Sequence, residues 1–426
     1  MPRITRRDAD ALLAALPSPA RSLLKAAAQL AAGARLALVG GSVRDLALGL
    51  PLDYDVDLVV EGDAPRLARA LTQRLGGSLE AEHAAFGTAT LRATVGEREA
   101  LIDVTMARRE TYARPAALPD VTPAALDDDL ARRDFSTNAM ALELFPSRAH
   151  DLEARLLDPF GGMADLEAGR LRVLHDASFR DDPTRILRGL RLAARLGLAW
   201  ERYTQALLQR ALADGLLEQT SPERVCGELC LALAEPRLDI VLRLGDEWGI
   251  APHIFPALRW SPDLNAIWQR ALLTPSSVAP TSVRLGLLTY ELDAAEREAL
   301  RERYRLPGDA TRLLREVGAL KAQREALGDP GLPNSRLDTL LAPYSVEAIT
   351  VVEIAERERG IVSRALSRYL NTLRPLPRLV NGRDLLALGV RPGPQVGALL
   401  AQLRAAQADG AVTTREEALA LAQQKI

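Results

Sequence analysis

LALVGGSVRDLALGLPLDYDVDLVVEG, Leu36 to Gly62, is the stretch that decides the fold. It reads as an apolar strand, a Gly-Gly turn, a short helix and a second strand that carries acids. Asp55 and Asp57 flank Val56, and strand residues two apart point to the same side of a sheet. Two carboxylates on one face of a Val- and Leu-rich strand are unfavourable to bury unless a cation pairs with them. Oxygen ligands at that spacing suit Mg²⁺, which binds through one or two carboxylates plus substrate phosphates.

The turn before those acids adds to the reading. Gly40-Gly41-Ser42 stands at the mouth of a helix, with Ser42 as a candidate N-cap for Val43 to Leu48. Glycine lets the backbone approach closely, and the exposed amides and helix dipole attract phosphate. The pattern is neither GxGxxG nor GxxxxGK[ST], so Rossmann and P-loop readings lack support. Amides for phosphate beside carboxylates for metal belong in a phosphoryl-transfer site.

Three further stretches carry candidate chemistry. Asp103 in LIDVTMARR is either a third carboxylate of that cluster or a solvent-facing strand residue. In RRDFSTNAMAL, Arg132 to Leu142, Arg133 offers a planar fork for a triphosphate, and Asp134 and Asn138 offer bonds to ribose or backbone. The plain alternative is that Asp134 caps a helix and the arginines are solvated. In DDPTRILRGLRLAARLGL, Asp181 to Leu198, Arg185, Arg188, Arg191 and Arg195 recur along a helix opposite Ile186, Leu187, Leu190, Ala193 and Ala194. That is an amphipathic helix with a basic face, or a helix whose Asp182 and Arg185 meet the edge of a nucleobase. Cys226 and Cys230 have no second Cys pair or nearby His and read as small core residues. The doublets His150-Asp151 and His175-Asp176 give only a weak metal-hydrolase signal.

Composition bounds the answer. The chain has 426 residues, 48% hydrophobic and 26% charged, which fits a globular protein of several subdomains. The net charge of −2 neither announces nor excludes a nucleic-acid partner. Aromatics at 4% argue against a surface built on many stacked bases. Two Cys, no leader-like N-terminus and no membrane-length apolar run predict a cytoplasmic protein.

Strand signals are confined to the first 150 residues, where Ala64 to Leu75 is helical, Phe86 to Leu91 and Ala100 to Thr105 alternate, and Glu110 to Thr122 reads as a proline-containing loop. Beyond Asp151 nearly everything has helical periodicity, including one long stretch at 345–374. Gly328 to Asn334 and Arg374 to Arg378 are the expected hinges.

The order of these motifs resembles the tRNA nucleotidyltransferase/poly(A) polymerase family, class II of the polymerase-β-like superfamily. GGSVRDLALGLPLDYDVDLVVEG resembles its GGxVRD…LG…DxD signature, and LIDVTMARRE its third-carboxylate strand. DDDLARRDFSTNAMAL resembles EDLxRRDFTxNAxA, and LLDPFGGMADLEAGRLRVL the stretch that leads out of the head. DDPTRILRGLRLAARLG resembles the nucleotide-selecting helix, SPERVCGEL the ERxxxEL helix that follows, and NGRDLLALGVRPGPQVGALLAQL the C-terminal segment. The matches run from about Leu36 to Pro236 and from Asn381 to about Arg415. Between Gly49 and Asp55 the chain has one more residue than the family's commonest spacing, which makes Asp53 a competing acid; Thr137 stands where the family often has Ile or Val, Leu192 where it usually has Phe, and Asp181 where Glu is frequent.

The resemblance implies an α/β polymerase-β-like nucleotidyltransferase head (1–150), a helical neck with the nucleotide-selecting helix (151–245), and a helical body and tail that bind tRNA (246–426). Asp55 and Asp57 would hold two Mg²⁺ ions, with Asp103 as the third catalytic carboxylate. Gly40, Gly41, Arg44 and Arg133 would handle the triphosphate, and Asp134 and Asn138 ribose and backbone. Asp182 and Arg185 would pair with the incoming base, supported by Arg188 and Arg191. The partners implied are the acceptor arm and 3′ end of tRNA, with CTP, ATP or both. Arg357, Arg364 and Arg368, at i, i+7 and i+11, form either a basic ridge for RNA or a solvated surface. The readings in competition are a bacterial poly(A) polymerase, which would usually carry a long basic C-terminal extension, and a non-catalytic RNA-binding relative.

Overall fold

The computed structural model describes all residues except 1–3, 5–7, 32, 52–54, 84–85, 148–151, 258–265, 268–279 and 359. Asp53, His150 and Asp151 lie outside the described residues, as does the side chain of Asp55. The chain divides into two compact units, Met1–Ile254 and Phe255–Ile426.

The first unit is built on strands β1 (Leu36–Val39), β2 (Asp55–Val60), β3 (Ser78–His83), β4 (Thr88–Val95), β5 (Arg98–Met106), β6 (Arg108–Thr111), β7 (Asp120–Pro123), β8 (Ala141–Phe145) and β9 (Glu153–Leu157). Seven of them form one mixed sheet in the order β3-β4-β5-β2-β1-β8-β9. Only the β2–β5 pair is parallel, and its register sets Asp57 beside Asp103.

Helices α1 (Ala9–Ala15), α2 (Ser18–Leu30), α3 (Gly41–Ala47), α4 (Ala64–Leu75) and α5 (Leu126–Ala131) accompany the sheet. α4 starts at Asp63, whose carboxylate accepts from the Arg66 amide at 2.9 Å, and stops at left-handed Gly76. Its apolar stripe packs with α2 on one sheet face, where Val56, Leu58, Leu91, Ile102 and Val104 are buried. The alternate residues face the other side, which α5 covers in part through Leu126 and Leu130 on Val39 and Val59. Asp57 stays exposed on that second face.

The neck comprises α6 (Gly162–Glu167), β10 (Arg170–Leu171), α7 (Ser178–Asp181), α8 (Thr184–Leu196), β11 (Ala199–Trp200), α9 (Arg202–Ala213), α10 (Leu216–Gln219), α11 (Pro222–Ala234) and α12 (Leu238–Glu247). Its one departure from helix is a two-residue parallel ladder between β10 and β11. Gly189 lets α8 lie against the aromatic pair Phe135 and Trp200, since a Cβ there would sit 2.1 Å from the Trp200 ring.

Several sequence expectations change. Ser42 is not the N-cap: Gly40, at φ 72°, takes that place, and Ser42 lies in the first turn of α3. Glu110 to Thr122 is not a plain loop. β6 and β7 pair as a hairpin with Glu110 opposite Val121, and Pro115 and Pro119 fall in the connection, where a missing amide does no harm. β3 escaped the pattern search because its side chains are mostly exposed, which is ordinary for an edge strand. The head sheet also takes in β9, past the boundary at 150.

In the second unit, helices Pro280–Leu288, Gly308–Ala322 and Val346–Ala355 pack together. The helix expected over 345–374 is broken. It runs as Val346–Ala355, then Gly360–Arg368, then a π-helical turn Tyr369–Leu373. Glu356 turns inward at the break to meet the Tyr290 hydroxyl and Arg324. Arg357 therefore sits in a turn, paired with Glu353 at 3.2 Å, while Arg364 and Arg368 stand exposed on the second helix. The three arginines do not share one helix face. The C-terminal segment has its own small core of Val380, Leu385, Val390, Leu399, Leu403, Val412, Ala418 and Ala422. No described helix is long and apolar enough to cross a membrane.

Candidate active site

Gly40 is the pivot of the site. Its left-handed backbone turns the chain from β1 into α3, and a Cβ there would lie 3.0 Å from Arg133 Nη1 and 3.8 Å from Asp57 Oδ2. The missing side chain therefore leaves room between a cation and an acid. Asp57 stands beside Asp103 across β2 and β5, and Asp55 lies two positions earlier in β2. Asp103 in turn accepts from the Thr90 hydroxyl on β4.

Gly40, Gly41 and Asp57 share one cavity of about 400 Å³ with Arg133, Asp134, Asn138, Asp182, Arg185 and Arg188. Distant segments of sequence thus converge on a single polar cleft. Arg133 is anchored on fully buried Asp129 at 3.0 Å, while its Nε is buried with no hydrogen-bond partner among the described residues. Asp134 accepts from the Phe135 amide (2.8 Å) and from Asn138 Nδ2 (3.0 Å), so the two polar residues brace each other.

Two sequence-selected arginines play other parts. Arg44 is only 4% exposed and does not line the cavity. Its guanidinium holds Asp45 at 2.8 Å and Asn138 Oδ1 at 2.6 Å, which orients Asn138. Arg191 also points away, to Glu228 (2.8 Å) and Glu235 (3.1 Å) on α11 and just after it. Arg188 bonds Glu228 at 2.9 Å and Arg195 bonds Glu235 at 2.5 Å, so the basic face of α8 is zipped onto acids rather than solvated. Burial opposes the Arg188 charge, but Asp134 and Glu228 outweigh it and raise its pKa. Replacing Glu228 by Ala would leave Arg188 and Arg191 short of their shared partner. Unfolding followed by denaturant should show a loss of roughly 3 kcal/mol.

The Asp182/Arg185 pair is held by protein partners. Arg185, 5% exposed, donates to Ser178 Oγ at 2.7 Å and to the Arg132 carbonyl at 2.6 Å. Each terminal nitrogen carries a second N–H. Asp182 Oδ1 accepts from the Thr184 amide (3.0 Å), the Thr184 hydroxyl (2.6 Å) and Arg224 Nη2 (2.6 Å).

Five polar lining residues were not among the candidates: Arg108, Glu110, Tyr112, Arg132 and Arg224. Glu110 Oε1 accepts from Arg108 (3.0 Å) and Arg132 (2.8 Å), and Oε2 from the Tyr112 hydroxyl (2.9 Å). Burial and then the Glu110 charge push the Tyr112 phenol above its ordinary range. Reading 110–122 as a loop hid Glu110 and Tyr112. Arg224, in the first turn of α11, also bonds the Ala116 carbonyl at 3.0 Å and so reaches from the neck to the hairpin. The R of SPERVCGEL was visible, but its target was not. His175 is pushed down by burial first and then by Arg185, so it favours the neutral imidazole. Among the described residues no three His, Cys, Asp or Glu side chains form a metal cluster.

Known proteins share this arrangement of sequence. Residues 36–172 match the Poly A polymerase head domain. The chain is 31% identical over 419 residues to the A-adding tRNA nucleotidyltransferase of Halalkalibacterium halodurans, spanning 94% of this chain and 92% of that protein. It is 37% identical over 384 residues to the CC-adding tRNA nucleotidyltransferase of Deinococcus radiodurans, spanning 90% and 87%. A solved structure of a CCA-adding enzyme in an apo form superposes with a TM-score of 0.77 at 30% identity, covering 99% of each chain. With a nucleotide-sized polar cleft built from the matched motifs and a likeness that runs the length of both relatives, the chain belongs to the tRNA nucleotidyltransferase/poly(A) polymerase family.

Proposed function

We propose that this protein extends the 3′ end of tRNA with C, A or both, using CTP or ATP and releasing pyrophosphate, without a nucleic-acid template. One observation carries the reading: Asp57 of the sheet, the arginine beside the glycine turn and the Asp182/Arg185 pair line a single cleft. Phosphoryl transfer asks the protein for positioning and charge, and this cleft supplies both.

The residues fit a divalent cation. Asp57 is an exposed hard oxygen donor on an open sheet face, in register with Asp103 and two positions after Asp55. That donor set suits Mg²⁺, and Asp55 and Asp57 would hold two ions. When bound, such ions activate the attacking 3′-hydroxyl and neutralise charge on the leaving pyrophosphate. Asp103 would act toward the attacking hydroxyl as the third carboxylate. Gly40 and Gly41 offer close backbone approach to the triphosphate, and Arg133, whose Nη1 borders Gly40, would pair with it.

Base choice falls to Asp182 and Arg185. An Asp carboxylate accepts from the exocyclic amino group that C and A carry, and an Arg donates to the adjacent ring nitrogen. G and U present a carbonyl and a ring N–H there, which would leave buried groups unpaired. Because both side chains are already fixed by Thr184, Arg224, Ser178 and the Arg132 carbonyl, little ordering remains for the base to impose. Arg364 and Arg368 offer phosphate contacts to the acceptor arm.

Offering tRNAs that end at the discriminator base, at C and at CC, with CTP and ATP separately, tests the reading and separates C addition from A addition. Incorporation on at least one combination is expected, and none on any would refute it. ATP polymerised into long tails on unrelated RNA would favour a poly(A) polymerase instead.

A further inference from the structure

The open face of the head sheet carries Thr90, Asp103 and Asp57 abreast on three adjacent strands. Thr90 on β4 stands directly opposite Asp103 on β5, and Asp103 stands beside Asp57 on β2. The Thr90 hydroxyl donates to Asp103 Oδ1. We propose that Thr90 is the positioning residue for Asp103, fixing the carboxylate in the one orientation that reaches the attacking hydroxyl. The inference rests on the nucleotidyl-transfer reading of the cleft.

The sheet sets the direction in which Asp103 points. Ile102 and Val104, which flank Asp103, are fully buried on the helix-covered face, so Asp103 projects to the opposite, half-open side. A carboxylate there has three staggered χ1 wells, and packing alone does not choose among them. Among the described residues no arginine or lysine forms an ion pair with Asp103, so the hydroxyl is what holds it. Threonine suits the task because branching at Cβ restricts its own χ1 and makes its hydroxyl a fixed donor. One donor on Oδ1 leaves Oδ2 free for substrate. Ala89 and Leu91, on either side of Thr90, are buried in the core, so the strand cannot slip to offer another residue without exposing them.

Thr90→Val keeps the shape and the strand preference and removes only the donor. The expected result is a fall in kcat of about tenfold, with KM for nucleotide and tRNA changed by less than about twofold and no loss of thermal stability. Thr90→Ser, which restores a hydroxyl, should recover kcat to within about twofold of the parent. Unchanged kcat in the Val variant, or no rescue by Ser, would overturn the proposal. A rise in KM alone would also overturn it, by placing Thr90 against the nucleotide instead. A crystal structure of Thr90→Val should show Asp103 in a different or mixed rotamer, and an unmoved carboxylate would overturn the idea independently of activity. Failure of the parent protein to add any nucleotide would strike the functional reading, and the rotamer comparison would still decide the role of Thr90.

Discussion

Asp57→Asn protein is expected to fold as the parent does and to lose nucleotide addition by about a thousandfold or more. The substitution keeps the size of the side chain and removes its charge. Asp57 is exposed on the open sheet face, and neither the β1–β2 register nor the packing of Val56 and Leu58 depends on the carboxylate. Stability should therefore move by no more than about 0.5 kcal/mol, as for surface changes generally. An amide cannot replace an anionic oxygen ligand to a hard cation, so the loss should fall on kcat, with tRNA binding nearly unchanged. Gel-shift affinity for tRNA measured beside single-turnover incorporation separates the two. Full activity in this variant would remove Asp57 from the chemistry.

Asp182 should govern which nucleotide is used. Asp182→Ala is expected to lower kcat/KM for CTP or ATP by roughly a hundredfold and to erase most of the preference over UTP and GTP. Arg185 would then face the base without its partner acceptor, and Arg224 would lose its 2.6 Å ion pair. Asp182→Asn makes the sharper test. Its amide oxygen can still accept from Thr184, while its NH₂ becomes a donor toward the base. A donor fits the carbonyl that U and G present, so relative use of UTP or GTP should rise. Competition assays with paired nucleotides read this directly. An Asn variant with the parent's preference would show that the base is read elsewhere in the cleft.

The head was legible from residues 36–62 because its signals are local. The apolar run of β1, the glycine turn and the acid-bearing strand each follow from short-range chemistry, and β4 and β5 carry the expected alternation. Elements whose identity depends on distant partners were harder to read. β3 looks polar because it is an edge, and β6 and β7 look like loop because prolines crowd their connection. Among the site residues, the sequence placed Gly40, Asp57, Arg133, Asp182 and Arg185 together correctly. It did not show how Arg44 and Arg191 are held, because charge alone does not say whether an arginine meets substrate or an acid of its own chain. Asn138 and Asp45 claim the first, and Glu228 and Glu235 the second. Helical periodicity over 345–374 concealed the turn at Glu356, whose buried bonds to Tyr290 and Arg324 belong to tertiary structure.

In the proposed reaction, side chains of this protein, and no nucleic-acid template, choose the nucleotide added to a tRNA end. The most direct measurement is single-turnover addition of each of the four labelled nucleoside triphosphates to a purified tRNA transcript lacking its 3′ terminal nucleotides, with parent and Asp182→Asn proteins side by side. The parent should use CTP, ATP or both and scarcely use UTP or GTP, and the variant should narrow that gap. Equal use of all four by the parent, or the same preference in both proteins, would contradict it.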